Sequence, residues 1–233
     1  AELQKGHIYL CPPGYTVTLE TSRMHLADSE AGKTKNLPID SFFRSLAENM
    51  KSRAAGIVLS GTGTDGTIGL RCIKEQGGLT MVQDSDSATF PGMPESAASA
   101  FPVDHTAAPG TMPRLIAEYR PLPETVSDAW DEFPGIEDLL PDILRKLHET
   151  TGRDLAGYKK NTVFRRLAKR MSVLGIREPD EYMEHLAENP EEPMQFLEDF
   201  LIGVTGFFRD PESFRTLADT YLPGLVRGCS AND

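Results

Sequence analysis

Two short apolar runs, Ala-Ala-Gly-Ile-Val-Leu-Ser (54–60) and Leu-Thr-Met-Val-Gln (79–83), flank a stretch in which Ile68, Cys72 and Ile73 recur at helical spacing, and Gly77-Gly78 ends that stretch. Runs of this length bounded by glycine turns read as buried parallel strands. Parallel neighbours cannot be joined by a tight turn, so strand, helix and strand within about 30 residues make a βαβ unit. That unit commits the first half of the chain to a parallel sheet covered by helices. His-Ile-Tyr-Leu (7–10) reads as a further buried strand of the same kind. A helix is predicted over Ile39–Lys51, with Asp40 near its start and Phe42, Phe43 and Leu46 on its core face.

Beyond residue 133 the strand signal gives out. Ile136, Leu139, Leu140, Ile143, Leu144 and Leu147 keep helical spacing, as do Phe164, Leu167, Ala168 and Met171, then Tyr182, Leu186, Phe196, Phe200 and Leu201. This predicts a compact bundle of short helices. Between the halves, residues 121–132 carry Pro121 and Pro123 among polar residues without apolar periodicity, and read as a linker. The expected fold class is an α/β parallel-sheet region followed by an all-α helical domain. Charge divides along the same line: residues 1–120 hold 11 Lys/Arg and 13 Asp/Glu, residues 121–233 hold 13 and 22.

The overall net charge of −11 argues against a general nucleic-acid binder. No apolar run reaches the roughly 18 residues of a spanning helix, so no membrane insertion is expected, and the N-terminal Ala-Glu-Leu-Gln-Lys-Gly lacks the pattern of a signal peptide. Three cysteines (Cys11, Cys72, Cys229) without a CxxC pair make zinc and a disulfide framework unexpected and fit a reducing, cytoplasmic setting.

The sharpest local signal is Ser60-Gly-Thr-Gly-Thr-Asp-Gly66, placed between strand and helix. Three readings stand. Gly61, Gly63 and Gly66 satisfy the dinucleotide pattern GxGxxG, with Asp84 downstream as the acidic residue, although the Asp65 carboxylate would repel a pyrophosphate there. A second reading is a tight glycine turn with Asp65 favoured near a helix start. The third is a carboxylate at the C-terminal edge of a parallel strand, where an acid orients a histidine for a serine nucleophile.

A second signal is electrostatic. Residues 153–177 contain eight Lys/Arg and one acid, and residues 178–208 contain nine acids and no Lys/Arg. On a helix, Lys159, Arg166 and Arg170 share a face, and Arg166, Lys169 and Arg170 are neighbours, while Phe164, Leu167 and Met171 point into the bundle. The face is a solvated one partly paired with nearby acids, a nucleic-acid surface, or a surface steering an acidic protein partner.

Residues 6–14 (Gly-His-Ile-Tyr-Leu-Cys-Pro-Pro-Gly), 60–66, 74–78 (Lys-Glu-Gln-Gly-Gly), 82–84 (Val-Gln-Asp) and 92–97 (Gly-Met-Pro-Glu-Ser-Ala) fall in one order. Over residues 1–118 the chain resembles the C-terminal part of the CheB-type protein-glutamate methylesterase domain. The resemblance implies that Asp65 is the acid of a Ser-His-Asp triad, and that the backbone N–H of Thr62, where the family often has Met, helps form the oxyanion hole. The family's serine and histidine lie upstream of the matched part. His7, His25 and His105 do not stand at the histidine's position, so the chain alone is expected to be inactive as an esterase.

Residues 158–171 (Tyr-Lys-Lys-Asn-Thr-Val-Phe-Arg-Arg-Leu-Ala-Lys-Arg-Met), 181–186 (Glu-Tyr-Met-Glu-His-Leu) and 201–212 (Leu-Ile-Gly-Val-Thr-Gly-Phe-Phe-Arg-Asp-Pro-Glu) carry a second likeness. Over 133–228 the chain resembles the CheR-type protein-glutamate methyltransferase. The implied domains are 1–120 methylesterase-like, 121–132 linker, 133–210 CheR-like helical, and 211–233 the start of a catalytic domain. The resemblance also implies that Lys159, Arg166, Lys169 and Arg170 dock on glutamate-rich helices of chemoreceptors. It further implies that Thr205 and Arg209 contact S-adenosylmethionine, with Gly203 standing where the family often has Asn. A planar guanidinium at Arg209 suits bidentate binding of a carboxylate. The combination implies a fusion that hydrolyses and forms glutamyl methyl esters; the alternative is a non-catalytic module that docks acidic receptor helices through the basic helix.

Overall fold

The computed structural model describes residues 1–28, 37–123 and 126–201, and Ala1–Leu201 form one compact unit. An antiparallel hairpin opens the chain, β1 (Tyr15–Glu20) paired with β2 (Arg23–Asp28). Helix α1 (Pro38–Met50) packs on it: Ser45 Oγ accepts the Leu19 amide at 2.9 Å and Asn49 Oδ1 the Thr21 amide at 2.7 Å. A short 3-10 turn then leads into β3 (Ala55–Val58), α2 (Thr67–Glu75) and β4 (Leu79–Gln83), the predicted βαβ unit. β3 and β4 are parallel, with Ala55 opposite Leu79. A third parallel strand, β5 (His105–Ala107), follows α3 (Gly92–Ala100), and the sheet order is β3-β4-β5.

Two sequence readings change here, and one strand had no sequence signal. Residues 7–10 form no strand, and Ile8 and Leu10 are 91% and 89% exposed, because no described strand lies beside them. An apolar run states that a segment prefers burial but not what buries it. The core face of α2 is Gly69, Leu70, Ile73 and Lys74, whereas Ile68 is exposed. At β5, three residues are too few to show a period.

The second half is helical, as the periodicity predicted. α4 (Met112–Glu118) is followed by α5 (Val126–Asp131), α6 (Ile136–Thr151), α7 (Lys160–Leu174), α8 (Pro179–Glu188) and α9 (Glu192–Leu201). Phe164, Leu167, Met171, Tyr182 and Phe196 fill its core. The stretch read as a linker carries α5, whose Trp130 stacks on Phe164 with centroids 3.6 Å apart, and Leu122 and Ala129 join the same core. Val173 of α7 instead packs with Leu79, Met81, Met112 and Tyr119 against the sheet, so the halves share an apolar contact. No helix among the described residues is long and apolar enough to cross a membrane.

Candidate functional site

The loop after β3 is built by glycine. Gly63 and Gly66 have φ of 95° and 91°, in the left-handed region that favours glycine. The loop is pinned from both sides: the Gly61 amide donates to Phe90 O at 2.8 Å, the Met93 amide to Gly61 O at 2.9 Å, and the Ser60 amide to Gln83 Oε1 at 2.8 Å. With the Gly61 amide already engaged, a pyrophosphate would lack that donor. Asp84, the acid of the dinucleotide reading, closes a local turn by accepting the Ser87 amide at 2.8 Å.

Asp65 does something the local sequence did not indicate. Its Oδ2 accepts the Ile39 amide at 3.1 Å and its Oδ1 the Asp40 amide at 3.0 Å. These are first-turn donors of α1, whose own N-cap, Leu37, supplies no side-chain bond. Asp65 therefore caps a helix 26 residues upstream, rather than α2, which it precedes. Asp40 returns the bond: its Oδ1 accepts the first-turn amide of Gly69 in α2 at 2.7 Å. Two helix N-termini, each short of an acceptor, are satisfied by each other's aspartate. The positive ends of both helices stabilise the two carboxylates. Asp40 is only 4% exposed, and its Oδ2 has no hydrogen-bond partner.

The result is a carboxylate held rigidly at the C-terminal end of a parallel strand. Three residues before it Thr62 is exposed, and among the described residues its backbone N–H makes no bond within the chain. No histidine among the described residues hydrogen-bonds Asp65. His7 meets Lys5 O at 3.1 Å, His25 lies 3.5 Å from Glu20, and His105 sits in β5, where burial lowers its pKa. Beside the cap, Ile8, Leu10, Ile39, Phe42 and Ile57 line an apolar cleft of about 1100 Å³, with the Asp65-bound Ile39 in its wall.

The basic residues of α7 do not form one face toward solvent. Lys159, just before the helix, is exposed, and Lys160 pairs with Glu137 while lying 5.5 Å over the Trp130 ring. Arg166 is half-buried, and desolvation lowers its pKa against the pull of Asp199. Lys169 and Arg170, expected to dock on a receptor, are buried. Arg170 grips Glu192 with both forks, Nε to Oε1 at 2.8 Å and Nη2 to Oε2 at 2.7 Å, and also donates to Gln195. Burial disfavours its charge, but Glu192 outweighs burial and raises its pKa. Lys169 donates to Gly78 O at 2.8 Å, inside the α/β half. The reason for this correction is that α7 is enclosed, with α9 against it on one side and the sheet cluster receiving Val173 on another. Gly203, Thr205 and Arg209 lie outside the described residues.

Comparison with known proteins matches two separate segments of the chain. Residues 1–116 match the CheB methylesterase family, and residues 139–201 match the CheR methyltransferase all-alpha domain. A 104.1 kDa Rhodobacter capsulatus protein, named only as uncharacterized in the hypE 3' region, is 35% identical over 97% of this chain and 26% of its own length. Protein-glutamate methylesterase/protein-glutamine glutaminase 1 of Carboxydothermus hydrogenoformans is 33% identical over 41% of this chain and 30% of its own length. The chain thus spans about a quarter to a half of the curated relatives it matches. The crystal structure of the Thermotoga maritima CheB methylesterase catalytic domain aligns with a TM-score of 0.46 and 24% identity, over 51% of this chain and 65% of that one. The chain thus joins a segment that matches the CheB methylesterase family, residues 1–116, to one that matches the all-alpha domain of the CheR methyltransferase family, residues 139–201.

Proposed function

We propose that these residues belong to a bifunctional enzyme that hydrolyses and forms methyl esters on glutamate side chains of chemoreceptor-type signalling proteins in the cytoplasm. One observation carries the esterase reading: the Asp65 carboxylate is fixed at the end of β3 by two α1 amides, three residues after an open Thr62 N–H. Asp65 orients a histidine, and the histidine takes the proton of a serine hydroxyl. The serine attacks the ester carbonyl, and the Thr62 N–H stabilises the oxyanion that forms. Methanol leaves with the histidine's proton, and water then hydrolyses the acyl-enzyme to free glutamate. Serine and histidine come from outside the 233 residues.

The methyltransferase reading rests on the CheR match and on the resemblance of residues 201–212. S-adenosylmethionine would supply an electrophilic methyl group, with Thr205, Arg209 and the Gly203 backbone as its contacts; these lie outside the described residues, and no transfer step is built on them. Lys159, just before α7, and Arg166, near its middle, are the basic residues proposed to meet an acidic receptor helix. Lys169 and Arg170 are not. The working division is 1–120, 121–132, 133–210 and 211–233.

The test uses a polypeptide carrying these residues together with the serine- and histidine-bearing part of the esterase. Methanol release from a methylated receptor is expected to fall on the order of 10³- to 10⁴-fold in Asp65→Asn. An unchanged rate overturns the role of Asp65. The 233-residue chain alone is expected to release no methanol, and release by it would overturn the placement of the nucleophile elsewhere.

A further inference from the structure

Three buried charges and the partly buried Asp199 meet where the two segments touch. Asp104, just before β5, has a fully buried side chain. Its Oδ1 accepts from Lys74 Nζ at 2.7 Å, and its Oδ2 accepts from the Thr80 amide and hydroxyl at 2.8 and 2.9 Å. Lys74, in the last turn of α2 and 3% exposed, also lies 2.7 Å from Asp199 of α9. From the helical side, Lys169 reaches in. It donates to Gly78 O at 2.8 Å and to Tyr119 Oη at 3.4 Å, lies 4.5 Å over the Tyr119 ring, and is 3.8 Å from Asp104 Oδ2. Three residues on, Ser172 donates to Arg120 O, and Val173 seats in the apolar cluster of the sheet.

The α/β side contributes Lys74 and Asp104 and the helical side Lys169 and Asp199, the last also 3.5 Å from Arg170 of α7. An apolar contact tolerates sliding, whereas a buried charge displaced from its partner pays its desolvation uncompensated. The four charges face one another only in one placement of α7 and α9 on the sheet. We propose that the Lys74–Asp104–Lys169–Asp199 cluster is a latch that makes the two segments a single cooperative unit, so that the helical segment is oriented on the esterase segment rather than swinging from it. α2 runs from the Asp65 loop at its N-terminus to Lys74 in its last turn, so one rigid helix links the candidate esterase acid to the latch. The latch also accounts for the withdrawal of Lys169 from the surface.

The 233-residue chain itself serves for the test. Its single tryptophan, Trp130, lies in the helical segment and reports that segment alone. Asp104→Asn substitutes a residue of the α/β side. A latch predicts that the Trp130 fluorescence transition in urea moves to lower concentration together with the far-UV circular dichroism transition. It also predicts that α7 amides exchange hydrogen at least about tenfold faster. A Trp130 transition and α7 exchange unchanged while β4 and β5 loosen would overturn the latch. If Asp104→Asn does not fold, Asp199→Asn is read in reverse: faster exchange in β4 and β5 supports the latch, and unchanged exchange overturns it. Neither readout involves ester hydrolysis, so the latch and the esterase reading fail separately.

Discussion

Asp65 and Asp40 hold each other's helices, and this exchange decides what a substitution near the site does. Gly69 lies where the two helices cross. A Cβ there would meet Phe43 Cβ at 2.6 Å and the Asp40 backbone at 2.9 Å. Neither is the flexible end of a side chain, so the helices must part. Gly69→Ala is therefore expected to destabilise the chain by about 1–3 kcal/mol, read as a lower urea midpoint, despite alanine's better helix propensity. The glycine loop and the strand before it singled out Asp65 in the sequence. Its two bonds to α1 were not, because they join residues 25 and 26 apart in sequence. Asp40 was legible only as a helix-start acid, and its bond to Gly69 had no sequence signal.

At the scale of elements, α7 shows how composition misleads when a helix is enclosed. Its spacing correctly placed Phe164, Leu167 and Met171 in the core. The same spacing put Lys159, Arg166 and Arg170 on one face, but a face is solvent-exposed only if nothing packs on it. α9 brings Glu192 and Asp199 to that side, so the acidic stretch after residue 178 supplies internal partners. Glu192 is buried and accepts from both Arg170 and Tyr182 Oη, the latter at 3.0 Å. Glu192→Ala leaves a buried guanidinium without its carboxylate. It is expected to cost about 3–5 kcal/mol, measured by urea unfolding. Arg170→Met combined with Glu192→Met should recover most of that loss, since the charge and its desolvation leave together.

At the scale of the molecule, the junction carries its own pH dependence. Desolvation lowers Lys169 to about 8, from an ordinary 10.5, because Asp104 at 3.8 Å and Asp199 do not offset its burial and the repulsion of Lys74. Lys74 is also desolvated, but two carboxylates at 2.7 Å outweigh burial and raise its pKa. Burial opposes the charge of Asp104 too, yet Lys169 and Lys74 hold it well below the usual carboxylate range. Tyr119 is pushed up by burial and by Asp104. Between about 8 and 10.5 the unfolded chain binds more protons at Lys169 than the folded chain does, so this group's contribution to stability rises with pH. Below 8 both states are protonated and the cost is constant. Up to a pH of about 9.5 Lys74 keeps its proton in both states. Tyr119 opposes the trend only near its ordinary 10.0, where the unfolded phenol begins to ionise. Wild type is therefore expected to gain urea stability on Lys169→Met as pH is raised from about 7.5 to 9.5, and a gap that stays constant would show that Lys169 remains charged.

By itself the sequence determined what depends on near neighbours. Apolar periods of 3.6 residues marked the helices of the second half, glycines at 63 and 66 marked a strand-to-helix loop, and ordered short motifs marked two families. Tertiary structure alone decided which apolar run finds a partner strand, which carboxylate caps which helix, and which basic residues meet solvent. The reason is the reach of the forces. A period is written in side chains three and four apart, whereas Lys169 finds its carbonyl 91 residues away. Burial of a charge depends on everything that closes around it, and no window along the chain contains that.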